Sequence, residues 1–364
     1  MASSARSPVT TSPLHLNGRR LILVAEGSNR VGLGHLMRMF ALGQAWSDAG
    51  GQVDGLLGEA PDALVDRYRR EGFLVRRVGT GANGGRDDGL RALLEDDVAA
   101  VAAIDRPDLS RFDLEELGDT ANRTLVVDDM ALLPEYPVAL VLNQNAHAAR
   151  ASYPAVKDEQ LLLGLRYVLL RREFQDDIPS RLIRARADRL LVTFGGSDPK
   201  GLTARTLEAL ALRPPSDLEA LQVRVIVGLA NEAADRIKAL AKRSPLAVTV
   251  ERGLEGMVGV MTWADLAITA GGSTVWELAR TGCPALVVST VPGEVSAASG
   301  LEAVDLFDRL GQEDRIDAGR LAAAIAERVS DRPWRTLMAR RGQALVDGLG
   351  APRVVDVLAS LHAR

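Results

Sequence analysis

Short apolar segments alternate with amphipathic segments along most of the chain. From Arg20, the apolar segment RLILVAE is followed by a glycine-containing loop and then by HLMRMFALGQAW, where apolar residues recur at helical spacing. Five further segments are apolar almost throughout: QVDGLLG, FLVRRVG, VAAVAAI, TLVVDD and ALVLNQN. Parallel strands that are covered on both faces have this composition. The pattern therefore predicts a doubly wound α/β domain in the first half of the chain.

A second series of strand-like segments occupies the other half: RLLVTFGG, LQVRVIVG, LAVTVERG, DLAITAGG and PALVVSTV, with helical patterns between them. The charged segment between the two series suits an interdomain connection. We expect four parts, namely a flexible tail at residues 1–17, a Rossmann-like domain at 18–168, a connection at 169–187, and a second Rossmann-like domain with a helical tail at 188–364. Ligands bind outside the carboxyl ends of the strands in such sheets, which predicts a ligand cleft between the domains.

The composition narrows the range of functions. Acidic residues outnumber basic residues 48 to 44, and no long run of lysine or arginine occurs, so the electrostatic footprint of a protein that binds nucleic acid or an anionic membrane is missing. The single cysteine, Cys283, excludes an internal disulfide, and no apolar stretch approaches the roughly 20 residues that span a bilayer. We expect a cytoplasmic protein with a small-molecule ligand, no membrane span and no nucleic-acid partner. The oligomeric state stays open.

The loop after the first predicted strand reads GSNRVGLGHLMR. Gly32 and Gly34 permit a tight turn and a close approach of the backbone to a ligand, and His35 stands at the start of the next helix. The loop is a poor dinucleotide fingerprint, because Met37 takes the place of the third glycine. The positive end of a helix favours neutral imidazole, which makes His35 a candidate general base. A histidine that only caps or packs beneath the loop is the alternative.

Two loops in the second half, FGGSDPKGLT and AGGSTVWEL, each follow an apolar strand and open a helix. Paired glycines followed by a hydroxyl residue at a helix N-terminus offer backbone N–H groups and a favourable dipole to phosphate. The candidate phosphate-binding residues are Gly195, Gly196, Ser197, Gly271, Gly272, Ser273 and Thr274. In the alternative, the glycines only turn the chain and the hydroxyl residues are ordinary N-caps. Glu277, three residues after Thr274, could bind a sugar diol or complete a capping box.

Polar residues also follow predicted strands of the first half. Asp105 ends one strand and Asp128 and Asp129 end another, but no histidine or cysteine ligand spacing accompanies them. We therefore expect positioning or structural roles for these carboxylates, and no metal or cofactor. The segment NQNAHAARASYP presents Asn145 and Tyr153, with a plain surface loop as the alternative. Neither a GxSxG elbow nor a P-loop occurs, which disfavours α/β-hydrolases and NTP-hydrolysing enzymes.

Six segments between Leu21 and Val288 carry a resemblance to a known family. They are, in order, VGLGHLMR, LVVDDM, LNQNAHAARASYP, LGLRYVLLRREF, VTFGGSDPKGLT and ITAGGSTVWEL. Together they resemble the UDP-2,4-diacetamido-2,4,6-trideoxy-β-L-altropyranose hydrolases of pseudaminic acid biosynthesis and the related spore-coat polysaccharide proteins. The resemblance implies the glycosyltransferase-B (GT-B) fold, in which two doubly wound Rossmann-like domains face each other across a cleft. It also implies a metal-independent hydrolysis in which water displaces UDP from the C1 atom of the sugar.

The resemblance also assigns roles to individual residues. It makes His35 the base that activates water, the loop from Gly271 to Thr274 the cradle of the diphosphate, and Glu277 a candidate ribose ligand. The predicted substrate-binding residues are Gly32, Gly34, Asn145 and Tyr153.

The chain departs from this family at two places. Val24 and Glu26 stand where the family usually has an arginine and an aspartate, and PGEVSAA follows PALVVSTV where the family often has an asparagine–glutamine pair. The exact sugar and the hydrolytic outcome therefore stay open. A GT-B glycosyltransferase, with an acceptor hydroxyl in place of water and His35 still the base, is the first alternative. A non-catalytic protein that binds a nucleotide sugar is the second.

Overall fold

Two parallel β-sheets flanked by helices form the part of the chain that the computed structural model describes, which is residues 15–28, 32–79, 87–212, 218, 220–290 and 305–361. Each sheet belongs to one half of the chain. Residues 1–14 of the predicted tail at 1–17 lie outside the described residues, and so does the segment PGEVSAA.

The first sheet has seven strands, and all of its strand pairs are parallel. The strands are β1 (Arg20–Ala25), β2 (Gln52–Leu57), β3 (Leu74–Arg77), β4 (Val101–Asp105), β5 (Thr124–Val127), β6 (Leu140–Asn143) and β7 (Leu161–Leu163). Their order in the sheet is β3-β2-β1-β4-β5-β6-β7. The helices of this half are α1 (Gly34–Asp48), α2 (Asp62–Arg70), α3 (Asp87–Asp96) and α4 (Arg111–Glu115).

Side chains of β1 alternate between two cores, because successive residues of a strand point to opposite faces. Leu21 and Leu23 pack in the core that contains α1, whereas Ile22 and Val24 pack in the core on the other face. Burial on both faces is the reason why the strand reads as apolar throughout, and it confirms the prediction of a sheet covered on both sides.

The second sheet has six strands and is also parallel. Its strands are β8 (Arg189–Thr193), β9 (Gln222–Val227), β10 (Ala247–Arg252), β11 (Leu266–Ala270), β12 (Ala285–Ser289) and β13 (Asp308–Gln312). Their order is β10-β9-β8-β11-β12-β13. The helices of this half are α5 (Leu202–Leu212), α6 (Ala234–Arg243), α7 (Val258–Trp263), α8 (Thr274–Arg280), α9 (Ala318–Ser330), α10 (Arg332–Leu345) and α11 (Gly350–Ala359).

The predicted fold class is confirmed, and so is each strand predicted from an apolar segment. Two strands were not predicted, β7 and β13, and both lie at sheet edges. Strand β7 has only three residues, which is too short for a periodic signal. Strand β13 reads DRLGQ and buries only Leu310, because an edge strand has a neighbour on one side only.

Both sheets reverse their strand order at an equivalent point. In the first sheet the reversal lies between β1 and β4, and in the second it lies between β8 and β11. The loops that leave neighbouring strands at such a point go to opposite faces of the sheet and open a crevice at the carboxyl ends, where ligands bind. The GxGH loop follows β1, and the two glycine loops of the second half follow β8 and β11.

The last helix crosses back to the first domain. Residues Ala351, Val354, Val355 and Leu358 of α11 are buried in the core that also contains α1 and β1. The expectation that residues 188–364 form one domain is therefore wrong at its end. The physical reason is that the apolar stripe of α11 covers the surface of α1 in the first domain.

The predicted connection at 169–187 is tied to both domains. Arg172 forms ion pairs with Asp48 at 2.7 Å and with Glu71 at 2.8 Å in the first domain. Arg181 donates to the backbone carbonyl groups of Met261 and Thr281 in the second domain. The connection thus packs along the junction of the two domains.

The helices in the described ranges are short. The longest, α1, has 15 residues, which corresponds to a length of about 22 Å, against roughly 30 Å for the hydrocarbon core of a bilayer. Among the helices that the structure describes, none is both long and apolar enough to span a membrane.

Removing the buried side chain of Leu358 should destabilise the first domain. Leu358 is fully buried against that domain, so Leu358→Ala leaves a cavity and should lower the free energy of unfolding by about 2–5 kcal/mol. Urea unfolding followed by tryptophan fluorescence measures this loss, since Trp46 lies in the same core. The control is Leu345→Ala in α10, where the side chain is 41% exposed. Equal stability of the two variants would contradict the assignment of α11 to the first domain.

Candidate functional site

The turn between β1 and α1 sets the position of His35. Gly32 has a left-handed backbone conformation with φ of 89°, which glycine adopts at little cost. Its N–H donates to the carbonyl oxygen of Ser28 at 2.8 Å. The chain then enters α1 at Gly34, so that His35 is the second residue of the helix and lies at the carboxyl end of β1.

His35 forms a hydrogen-bonded pair with Asp105. The Nδ1 atom of His35 lies 2.7 Å from Oδ1 of Asp105. Asp105 is the last residue of β4 and stands opposite Ala25, the last residue of β1, so the pair lies at the point where the strand order reverses. The side chain of Asp105 is 1% exposed and that of His35 is 22% exposed. Part of the imidazole is therefore open to the crevice.

Arg38 holds the other side of the same carboxylate. Its Nη2 atom donates to Oδ1 of Asp105 at 2.7 Å, and its Nε atom donates to Oδ2. Its Nη1 atom donates to Oδ2 of Asp129 at 2.6 Å. Burial lowers the pKa of Arg38, but the two carboxylates outweigh burial, so its pKa is raised above the usual value. The guanidinium is thus a fixed positive charge between two aspartates.

The ionised form of Asp105 selects the tautomer of His35. Burial raises the pKa of Asp105, but Arg38 and His35 together lower it more, so that the net pKa lies well below the usual range. An ionised carboxylate only accepts hydrogen bonds, and therefore Nδ1 of His35 carries a proton, which leaves the lone pair of the neutral ring on Nε2. This is the form of imidazole that can take a proton from a bound hydroxyl group or water.

Arg38 was not identified from the sequence. The available signal was its spacing, because Arg38 follows His35 by three residues and side chains three apart lie on one face of a helix. Asp105 was expected to have a positioning or structural role, and its contacts with His35 and Arg38 are those of a positioning group.

Asp129 links Arg38 to the segment after β6. Its Oδ1 atom accepts a hydrogen bond from Nδ2 of Asn145 at 2.7 Å, and the same amide lies 3.2 Å from Oδ1 of Asn143. Asn145, a predicted substrate-binding residue, is 6% exposed. The structure thus brings Asn145 into one hydrogen-bonded network with His35, although its contact with a sugar stays a prediction.

Tyr153 lies deeper in the same network. Its hydroxyl group donates to the carbonyl oxygen of Asp128 at 3.0 Å and accepts from Nδ2 of Asn143 at 3.0 Å. The side chain is 1% exposed, and burial raises the pKa of Tyr153 to about 12. A hydroxyl group that is buried and bonded on both sides supports the strand ends, so the geometry favours a structural role over the predicted contact with substrate.

The first glycine loop of the second domain differs from the prediction. Gly195, Gly196 and Ser197 do not open the helix directly, because α5 begins only at Leu202. The carboxylate of Asp198 accepts hydrogen bonds from the N–H groups of Leu202 and Thr203 at 2.8 and 2.9 Å. The N-terminus of α5 is therefore occupied by the chain's own carboxylate, which removes it as a phosphate site and leaves only the loop itself as a candidate.

The second glycine loop matches the prediction more closely. Helix α8 begins at Thr274, directly after Gly271, Gly272 and Ser273, and its N-cap residue Ser273 makes no side-chain capping bond. The N–H groups of Val275 and Trp276 donate to the carbonyl oxygens of Gly272 and Ser273 at 3.2 and 3.1 Å, so the loop itself is the candidate site for a phosphate.

Glu277 lies one turn into α8. Its carboxylate accepts a hydrogen bond from Nη2 of Arg171 at 3.0 Å, and Thr274 is the first residue of the helix rather than its N-cap, which is Ser273. Burial raises the pKa of Glu277, and the charge of Arg171 opposes this rise. The capping-box alternative is therefore wrong, while contact with a ribose stays a prediction.

The loops of the two domains face each other. A Cβ atom on Gly196 would lie 2.5 Å from Cδ1 of Leu33, and a Cβ atom on Gly34 would lie 3.7 Å from Oγ of Ser273. Gly196 must therefore be glycine for Leu33 to pack there. The GxGH loop thus lies against both glycine loops, and His35 follows the residue that faces Ser273.

The carboxylates of this site pair with other side chains. Within the ranges that the structure describes, no group of three or more histidine, cysteine, aspartate or glutamate side chains has the arrangement of a metal site. The carboxylates of Asp105 and Asp129 are instead bonded to Arg38, His35 and Asn145.

Residues 190–300 match the family model described as glycosyltransferase family 28 C-terminal domain. The match begins within β8 and includes both glycine loops of the second half. A relative with a curated description, the spore coat polysaccharide biosynthesis protein SpsG of Bacillus subtilis, is 28% identical over 199 residues. That match covers 55% of this chain and 58% of the relative, so the chain spans little more than half of the relative's length.

Two solved structures share the architecture of both halves. The glycotransferase of kitacinnamycin has a TM-score of 0.63 at 15% identity, and the match covers 94% of this chain and 98% of the other. The Anabaena protein HepE in complex with UDP-glucose has a TM-score of 0.56 at 14% identity, and the match covers 94% of this chain and all of the other, at 100%. At these identities the likeness concerns the fold alone. Together with the two parallel sheets, it establishes the GT-B fold.

Proposed function

We propose that this protein is a GT-B glycosyltransferase that moves a glycosyl group from a nucleotide sugar to a hydroxyl group of an acceptor, with His35 as the general base. The observation that carries the proposal is the pair of His35 and Asp105, which lies at the switch point of the first sheet and against the glycine loops of the second domain. Transfer is better supported than the hydrolysis first expected, because residues 190–300 match a glycosyltransferase domain.

The proposed reaction needs one proton acceptor at the attacking oxygen. As this oxygen attacks the C1 atom of the donor sugar, its proton passes to Nε2 of His35 and the new bond to C1 forms. The bond between C1 and the diphosphate oxygen breaks, and its electron pair leaves with the nucleoside diphosphate. Asp105 then stabilises the imidazolium that results. General-base assistance of this kind contributes about 10²–10⁴ in rate.

The second domain supplies the features that suit a nucleoside diphosphate. The loop from Gly271 to Thr274 leads into the N-terminus of α8, where negative charge is favoured. The loop after β8, formed by Gly195, Gly196 and Ser197, is the second proposed contact with the nucleotide. Glu277 is the proposed ribose ligand. The proposal of UDP as the nucleotide rests on the resemblance to UDP-sugar hydrolases and on the UDP-glucose complex of HepE, which has the same fold.

Hydrolysis would use the same residues with water in place of the acceptor. The difference between the two reactions therefore lies in what the crevice admits beside Nε2 of His35. A protein that binds a nucleotide sugar without turnover would need neither the proton on Nδ1 nor an ionised Asp105, and the intact pair argues against this alternative.

Release of UDP should depend on an acceptor. We expect purified protein, incubated with UDP-linked acetamido sugars that include the diacetamido-trideoxy compound, to release UDP at a rate that rises and saturates with the concentration of a hydroxyl acceptor. Phosphorus-31 NMR measures UDP, and proton NMR identifies the glycosylated product. Steady release of UDP and free sugar in buffer alone would establish hydrolysis instead. Binding without release under every acceptor condition would exclude both enzymes.

Replacing His35 should abolish turnover and preserve binding. The variant His35→Gln keeps a polar side chain but has no basic nitrogen, so kcat should fall by about 10²–10⁴. The Kd for UDP, measured by isothermal titration calorimetry, should stay within a few-fold of the wild-type value. His15→Gln is the matched control, because His15 is exposed and lies ahead of β1. Unchanged kcat in the His35 variant would eliminate the proposed base.

The variant Asp105→Asn should reduce kcat without changing the size of the side chain. The amide cannot accept at both of the positions to which Arg38 and His35 donate. The negative charge that holds the proton of His35 on Nδ1 and stabilises the imidazolium is also lost, so kcat should fall by about 10²–10⁴. Steady-state kinetics, with thermal unfolding to verify the fold, measures the effect. Wild-type kcat in a folded variant would exclude a role of Asp105 in setting the tautomer.

A further inference from the structure

We propose that Arg38 is a positioning residue that keeps His35 in its neutral form by neutralising Asp105, and that Asp129 limits the strength of this effect. The inference rests on the proposed role of His35 as general base and adds the groups that set its charge.

The contacts of Arg38 support this assignment. Its guanidinium donates to both oxygens of Asp105, and its Nη2 atom lies 3.2 Å from Nδ1 of His35. The side chain is 8% exposed, so water screens these charges weakly. Arg38 therefore acts on His35 in two ways, through the carboxylate that they share and directly through its own positive charge.

A carboxylate next to a histidine creates a conflict for a general base. The same negative charge that orients the imidazole also favours its protonated form, and a protonated imidazole has no lone pair to accept a proton. A positive charge on the far side of the carboxylate removes much of this attraction while leaving the hydrogen bond to Nδ1 in place. The bidentate contact of Arg38 with Asp105 fits this requirement.

Asp129 works in the opposite direction. It takes a third donor of the same guanidinium, at 2.6 Å, and thereby shares the positive charge between two carboxylates. The network thus sets two carboxylates against one guanidinium. Loss of the cation should favour protonation of His35, and loss of the Asp129 charge should disfavour it.

The charged groups around His35 come from three elements. Within the described ranges, those recorded in contact with its ring are Asp105 at the end of β4 and Arg38 on α1. Asp129, after β5, reaches the ring through Arg38. The second domain approaches this place at Ser273, which does not titrate near neutral pH.

Nitrogen-15 NMR of histidine-labelled protein tests the proposal without any substrate. The chain has only four histidines, so the ring nitrogens of His35 can be assigned by comparison with His35→Gln. In the wild type we expect the neutral ring to carry its proton on Nδ1. In Arg38→Met, the pH at which His35 takes up its second proton should rise by about one unit or more. In Asp129→Asn the same midpoint should fall.

Arg328→Met is the matched control. Arg328 also bridges two aspartates, Asp308 at 2.6 Å and Asp331 at 2.9 Å, but it lies in α9 of the second domain. It should leave the titration of His35 unchanged. Arg38→Lys keeps a positive charge but cannot make the fixed bidentate contact, so its midpoint should lie between those of the wild type and Arg38→Met. If Arg38→Met does not fold, Arg38→Lys and Asp129→Asn carry the test.

Shifts of opposite sign in the Arg38 and Asp129 variants would support the proposal, because a merely structural role of Arg38 predicts no such pattern. The same midpoint in the wild type and in the folded variants would overturn it. The test is separate from the proposed function. If His35→Gln retains full activity, the assignment of His35 as general base is wrong, while the titration still reports whether Arg38 controls the charge of His35.

Discussion

The part of the cleft where the proposed chemistry takes place depends on one buried guanidinium shared by two carboxylates. Arg38 lies on α1, Asp105 ends β4, and Asp129 follows β5, so a single side chain joins three elements at the reversal of strand order. Charges that are removed from water must be paired to be tolerated. The pairing therefore fixes the start of α1 against the strand ends, and the position of His35 follows from it.

The second domain completes the crevice through close contacts between loops. Leu33 packs where a side chain at position 196 would collide, and Ser273 lies beside Gly34. The proposed base and the proposed phosphate loop therefore lie near each other, although they follow strands of different sheets. Ion pairs of Arg172 with Asp48 and Glu71 hold the interdomain connection on the first domain, at the other end of α1. Geometry of this kind suits a reaction in which the leaving group and the attacking oxygen are held by different domains.

The sequence was informative wherever a property is local. Apolar runs predicted the buried strands, and glycines next to His35 predicted the turn that exposes it. The partnership of His35 with Asp105 could not be predicted, because 70 residues separate them and their contact depends on the order of strands in the sheet. The capping of α5 by Asp198 was missed for a different reason, since its side chain bonds the N–H groups that the motif was expected to offer to phosphate. The short edge strand β7 gave no periodic signal.

The return of α11 to the first domain means that the polypeptide passes between the two domains twice. Two covalent connections restrict the relative rotation of the domains more than a single linker would, and they favour bending about the line that joins them. Since α11 buries Val354 and Leu358 against the first domain, that domain is assembled from both ends of the sequence. A fragment that stops near residue 187 would leave an apolar surface of α1 uncovered, and cutting the chain there would divide a folding unit.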